Sequence, residues 1–320
     1  MWQRWLPLFI CLLASILCTG HDYDLPALPD LEAVQLALKL LDGPYSNIFS
    51  SNLLVSTNAS TNVNRIPPLF WLTMKSTPKD SRDLPEHIRH YLDLYKNWRS
   101  VIADDKYAHE FITKVYANTS FLWAYEALNP ALGAAKADLW RYAVLYAVGG
   151  VYIDADAGFV GNLDSLISPK DEIILSVGRH RLHRCYKSTY HLDKSAESEL
   201  YGNHVIIQWM LISAPYDPFL SRTIINIVEI IKSEYLGQSV LSPTISKAHM
   251  VSCTTGSHIF TNSVKQVIYS PTSVLHGYRL DGANYATLHG TFRSEGKDGP
   301  DHHSSILKEK NVTILHTYAV

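Results

Sequence analysis

An excess of charge of either sign is absent from this 320-residue chain: 28 Lys and Arg stand against 30 Asp and Glu, a formal net charge of −2. A nucleic-acid-binding protein would carry a clear basic excess, so that class is set aside. Cysteine is scarce as well. Beyond residue 20 only Cys185 and Cys253 remain, which leaves room for one disulfide or two buried thiols. Long apolar runs are missing outside the first twenty residues, so no later segment is expected to cross a bilayer. There is no internal repeat and no low-complexity domain. At 47% hydrophobic and 18% charged, what remains reads as one globular domain with ample core behind a short leader.

The leader has Arg4 ahead of an apolar run from Trp5 to Leu17, then Cys18-Thr-Gly20. This is a secretory signal pattern over residues 1–20 with a cut after Gly20, an uncleaved type II anchor being the alternative. Three sequons, at Asn58, Asn118 and Asn311, agree with entry into the secretory pathway. Residues 21–64 read as a stem: helical spacing from Leu31 to Leu41 breaks at Gly43-Pro44, and a Ser/Asn/Thr-rich stretch follows. The globular domain is expected over 65–320.

Within it, Leu69–Leu72 is a compact apolar run that predicts a buried strand. Leu84–Trp98 has helical periodicity, Val101-Ile102 a short strand, and Tyr107–Val115 a second helix. The alternation predicts an α/β fold with a central, mainly parallel sheet. Val205–Ile212 fits strand or helix, Phe219–Tyr235 a long helix, and Gly296–Ser305 a loop.

The chemistry concentrates between Ala134 and Asp156. On the apolar helix Ala134–Val148, Asp138 and Arg141 are three apart and therefore share a face. A surface ion pair there would contribute at most about 1 kcal/mol. On so apolar a helix the pair is expected at the rim of the core, where a donor site would use it: the acid for sugar hydroxyls, the guanidinium for a diphosphate oxygen or to orient an acid. Gly149-Gly150 ends the helix, and Val151-Tyr-Ile153 leads into Asp154 and Asp156. Two apart on an extended strand, these acids would project to one side. At a strand end, where α/β sheets bind ligands, such a pair can hold a hard divalent cation and through it a diphosphate.

The strings Ala135-Lys-Ala-Asp-Leu-Trp-Arg-Tyr142 and Gly149-Gly-Val-Tyr-Ile-Asp-Ala-Asp156 closely resemble the DXD region of glycosyltransferase family 32. Ile66-Pro-Pro-Leu-Phe-Trp71 is similar to the opening strand of that family, without its His and Gln. Ile207-Gln-Trp209 onward to Ala214-Pro-Tyr-Asp-Pro-Phe219 is similar to its Gln-Trp…Ala-Pro segment, with Tyr216-Asp217 in place of Gly-His. Thr255–Thr261 is similar to its Thr-Gly-Pro turn. The resemblance implies a GT-A fold in a single domain, a nucleotide-sugar donor (GDP-mannose favoured), a glycan or glycolipid acceptor, Mn²⁺ or another divalent cation, and retention of configuration. Carried onto this chain, Asp154 and Asp156 are the catalytic, metal-holding acids and Asp138 and Arg141 the donor-sugar contacts. His289 is a candidate third metal ligand. The expected membrane attachment is the N-terminal segment alone, and the expected location is the Golgi lumen.

Two rival readings remain at this level. A DxD phosphatase would use the first acid as nucleophile, but normally carries Thr or Val after the second acid, where this chain has Ala157. A secreted binding protein could keep the fold and the sugar or metal site without turnover. The cluster Arg179–Cys185 contains His-x-x-His near a Cys, but irregular spacing and no fourth ligand make it a solvated loop rather than a zinc site.

Overall fold

The computed structural model describes residues 27–30, 32–33, 65–76, 78, 80–157, 162–169, 171–181, 204–236, 247–269, 286–287, 305–309 and 312–316. In chain order the elements are β1 (Leu69–Thr73), α1 (Glu86–Leu94), β2 (Arg99–Ala103), α2 (Asp105–Val115), α3 (Ser120–Ala127), α4 (Gly133–Val148), β3 (Gly150–Asp154) and α5 (Leu163–Leu166). After them come β4 (Ile173–Arg181), β5 (His204–Ser213), α6 (Pro218–Leu236), α7 (Lys247–Thr254), α8 (Ser257–Tyr269), β6 (Ala286–Thr287), β7 (Ser305–Glu309) and β8 (Val312–His316).

The strands form one sheet in the order β2-β1-β3-β5-β4-β8-β7-β6. β2, β1 and β3 run parallel, as does β8 beside β4. β5 enters antiparallel between β3 and β4, and β6 to β8 pair antiparallel. The α/β class expected from the sequence is present, as a mixed sheet with a parallel heart.

Side chains alternate between two cores because successive strand residues face opposite sides. Leu69 and Trp71 of β1 join Tyr152, Leu211 and helices α2, α4, α6 and α8 on one face. Phe70 and Leu72 join Val151, Ile153 and Ile212 under α1 and α5 on the other. With both faces covered, strands lose the polar alternation that would mark them in sequence. Ala27 and Leu28, in the region expected to be a stem, pack against the first core.

The helix α4 lies inside the molecule, with Leu139, Trp140, Tyr142 and Ala143 fully buried. It ends at Gly149, whose φ of 78° and its successor's 109° are backbone that glycine adopts freely. A Cβ on Gly150 would stand 2.7 Å from the Leu69 carbonyl, so this turn seats β3 directly against β1. Trp71, in the strand that lacks the family's His and Gln, donates its indole N–H to the Gly149 carbonyl at 2.8 Å. Tyr216 is the only non-glycine with left-handed backbone among the described residues (φ 62°), at the place where the resembled segment has Gly.

No helix among the described residues is long and apolar enough to cross a membrane; the N-terminal apolar run lies outside them. Cys253, in α7, is disulfide-bonded; Cys185 lies outside the described residues.

Candidate active site

Ala103, Thr73 and Asp154 stand in register across β2, β1 and β3, at the carboxyl edge of the three parallel strands. Ligands of open α/β sheets bind beyond such an edge. A cleft of about 660 Å³ opens there, lined by Thr73, Ala103, Asp105, His109, Tyr125 and Lys136 among others. It lies between the ends of β1 and β2 and the start of α4. Lys136 holds its ammonium 4.4 Å from the centre of the Tyr125 ring, and burial lowers its pKa.

Arg141 joins the two sequence motifs. Its Nη2 lies 2.9 Å from Asp138 Oδ1 and 3.0 Å from Asp154 Oδ1. Its Nη1 donates to the Gln208 carbonyl at 2.9 Å and also to the Gln208 side-chain oxygen. The guanidinium lies over the Tyr152 ring, 4.6 Å from its centre. Tyr152 in turn donates its hydroxyl to Asp154 Oδ1 at 2.6 Å and lies 2.8 Å from the Thr73 hydroxyl. Burial opposes the charge on Arg141, but Asp154, Tyr152 and Asp138 raise its pKa further still; it is permanently cationic. Burial likewise raises the Tyr152 phenol well above its ordinary value, with Arg141 acting against it, so this hydroxyl keeps its proton.

Asp138 and Arg141 were expected at the rim of the core. They lie inside it, each 3% exposed, because α4 is enclosed rather than half-wetted. A surface ion pair is thereby excluded. The two charges satisfy one another: Asp138 Oδ1 receives Arg141 and Oδ2 accepts from the Thr255 hydroxyl at 2.8 Å. Burial pushes the Asp138 carboxyl up to about 6, against the pull of Arg141, Thr255 and Gln208.

Asp154 and Asp156 do not share one extended strand, which corrects the expectation that they project together from it. β3 ends at Asp154, and the Ala157 amide donates back to the Asp154 carbonyl at 2.9 Å. The chain therefore turns through Ala155-Asp156. Asp154 is left partly buried, its side chain 26% exposed, while Asp156 is exposed. From α1, His87 bonds the Ala155 carbonyl at 2.9 Å and steadies the turn. His289 lies outside the described residues.

Gln208, Tyr152, Thr73, Thr255 and His87 complete the site and were not singled out as site residues from sequence. Gln208 and Thr255 lay within segments similar to the family, with nothing in spacing to assign a role: they meet α4 from 67 and 117 residues away.

Part of the chain is similar to known proteins. Residues 81–172, which contain α1 to β3 and the whole Asp138–Asp156 stretch, match a glycosyltransferase sugar-binding region containing a DXD motif. The chain is 33% identical over 146 residues to the mannosyl phosphorylinositol ceramide synthase of Saccharomyces cerevisiae, covering 40% of this chain and 36% of that one. It is 28% identical over 171 residues to the initiation-specific alpha-1,6-mannosyltransferase of Schizosaccharomyces pombe, covering 51% and 40%. The matches thus span well under half the length of both relatives. Among solved structures, the PaToxG glycosyltransferase aligns with 73% of this chain and 78% of its own at 14% identity, with a TM-score of 0.38. Residues 81–172 thus match a glycosyltransferase sugar-binding region containing a DXD motif, with Asp154-Ala-Asp156 inside the matched stretch, and part of the chain is similar to two fungal proteins whose names join them to mannosyl chemistry.

Proposed function

We propose that the chain is a retaining, divalent-cation-dependent glycosyltransferase that moves mannose from GDP-mannose to a glycan or glycolipid. The observation that carries this reading is the double contact of Arg141 with Asp138 and Asp154; none of the three lines the cleft, but Tyr152 joins Asp154 to Thr73, which does. It ties the helix motif to the DXD motif at the strand edge where a nucleotide can lie. Both curated relatives are named for mannosyl chemistry, and one name joins mannose to an inositol-ceramide lipid. These names support the sugar and a glycolipid acceptor.

The residues fit a hard cation. No group of three His, Cys, Asp or Glu gathers into a closed site among the described residues. Mg²⁺-like ions, however, are commonly held by one or two carboxylates with substrate phosphates and water completing the shell. Among the described residues Asp154 has Oδ1 engaged by Arg141 and Tyr152, which leaves Oδ2 for a cation, and Asp156 is open to solvent. Bound there, a cation such as Mn²⁺ would offset charge on the departing nucleoside diphosphate.

The rest of the chemistry falls to the protein. Lys136 supplies positive charge inside the cleft and Tyr125 an aromatic wall. Arg141, fixed on four sides by Asp138, Asp154, Gln208 and Tyr152, holds Asp154 in place and sets a permanent cation behind it. The acceptor hydroxyl then attacks the sugar's anomeric carbon from the face that the nucleoside diphosphate vacates, and its proton passes to the departing phosphate oxygen. The leader pattern, the exposed sequon Asn118 and the disulfide at Cys253 support a lumenal location, with the Golgi favoured.

The purified chain in Mn²⁺, screened with GDP-mannose, UDP-galactose and UDP-glucose, is expected to release GDP from GDP-mannose and little from the others. Silence with every donor, alongside retained Mn²⁺ binding, would favour a binding protein without turnover. Release of inorganic phosphate from phosphomonoesters instead would favour the phosphatase reading.

A further inference from the structure

Asp138 is held by more than its own helix. The hydroxyl that meets its Oδ2 belongs to Thr255, fully buried at the junction of α7 and α8. That junction is tightly built. The amides of Thr255 and Gly256 both donate to the Val251 carbonyl, at 2.9 and 2.8 Å. A Cβ on Gly256 would stand 2.9 Å from Ser252 Cα, and Cys253, two residues before Thr255, is disulfide-bonded. Beyond the junction, the Thr261 hydroxyl accepts from the Ile206 amide of β5 at 2.8 Å, which ties α8 to the sheet. The Thr255 hydroxyl also lies 3.2 Å from the Val251 carbonyl. With a single proton to give, it favours the nearer and charged acceptor, Asp138.

From Asp138 the contacts continue without a gap to the cleft: Arg141, Asp154, Tyr152 and then Thr73. We propose that Thr255 is a positioning residue for sugar transfer: acting through Asp138, its hydroxyl fixes the Arg141 fork and thereby the orientation of the Asp154 carboxylate. The inference rests on the reading above in that it takes Asp154 as a cation-holding acid.

The test compares Thr255→Val, which removes the hydroxyl at nearly constant shape, with Thr255→Ser, which keeps it. Thr255→Ala stands in should the Val variant fail to fold. On the full chain, calorimetry measures binding of Mn²⁺ with GDP or UDP at a temperature well below every melting midpoint, and kcat and KM are read with GDP-mannose. The Val variant is expected to lose about tenfold or more in Mn²⁺–nucleotide affinity and in kcat, the scale on which groups behind a metal ligand act. The Ser variant is expected to stay near the parent. A residue that only stabilised the fold would lower the midpoint and leave the affinity of the folded protein unchanged.

Parent-like binding by the Val variant overturns the proposal. So does a Ser variant as impaired as Val, since the loss would then come from packing and not from the hydroxyl. If the parent binds Mn²⁺ and nucleotide yet transfers no sugar, the transferase reading falls while Thr255 is still judged by the calorimetry. A parent that binds neither overturns both.

Discussion

Arg141 has its fork wholly inside the protein, one nitrogen on Gln208 and the other shared between two aspartates. Asp156 sits in the open. Both belong to the proposed site but are expected to fail differently. Arg141→Ala would leave Asp138 buried without a counter-charge, a loss of about 3–5 kcal/mol for a broken buried pair. Asp156→Ala touches no packed contact and is expected to shift stability by no more than about 0.5 kcal/mol, while abolishing transfer. Denaturant midpoints and donor turnover on both variants check this. An Asp156→Ala protein that transferred sugar at the parent rate would remove that residue from the metal site. At this scale the sequence was informative where charge interrupts an apolar run, as at Asp138, Arg141 and Asp154. It was silent on Thr255 and Gln208, whose short-range setting is ordinary and whose partners are brought in by the fold.

At the scale of elements, most were legible from period and punctuation. β1, α2, α4, β3 and α6 stand where runs and breaks placed them, and Asp104 caps α2 by accepting from the Tyr107 amide at 2.8 Å. Two features were not legible. β5 read equally as helix, because a strand covered on both faces is mostly apolar and lacks strict alternation, Gln208 being its one interior polar residue. The turn after Asp154 was missed, because the pull of the Ala157 amide back to the Asp154 carbonyl leaves no mark in the residue pattern. The start of α6 carries a pH dependence of its own. Asp217 caps it, accepting from the Phe219 and Leu220 amides at 2.8 and 3.2 Å. Burial nevertheless pushes its carboxyl from an ordinary 3.8 up to about 7, against those amides. The folded chain therefore holds this proton more tightly than the unfolded chain does. This group's contribution is most favourable below about pH 4 and declines up to about pH 7, where it levels off. Asp217→Asn keeps a cap oxygen without a titrating proton. Relative to the parent, its denaturant midpoint is expected to rise between pH 5 and pH 8. Midpoints that move in parallel for both proteins would show that Asp217 does not titrate in this range.

At the scale of the molecule, one sheet with two covered faces leaves its carboxyl edge as the place where polar side chains converge, and the site is assembled there from β1, β3, α4, β5 and the α7–α8 junction. Strand and helix alternation predicted the α/β class. The antiparallel insertion of β5 was beyond reach of sequence, since strand direction depends on a chain path that local pattern does not encode. Because the site draws on elements so far apart in the chain, a ligand bound there links them all and must stabilise the folded state as a whole. A ligand present at 100 times its dissociation constant adds about 2.7 kcal/mol. For a domain of this size each kcal/mol moves the melting midpoint by roughly 2–4 °C. Mn²⁺ with GDP at that excess is therefore expected to raise the midpoint of the parent by roughly 5–10 °C. GDP with a chelator should raise it much less, because the diphosphate would then face Asp154 and Asp156 without a cation between them. In Asp156→Ala the midpoint without ligand should match the parent, and the Mn²⁺-dependent part of the rise should vanish. A full rise in that variant would mean that the cation and nucleotide bind away from the strand edge, and the assignment of the cleft would have to be abandoned.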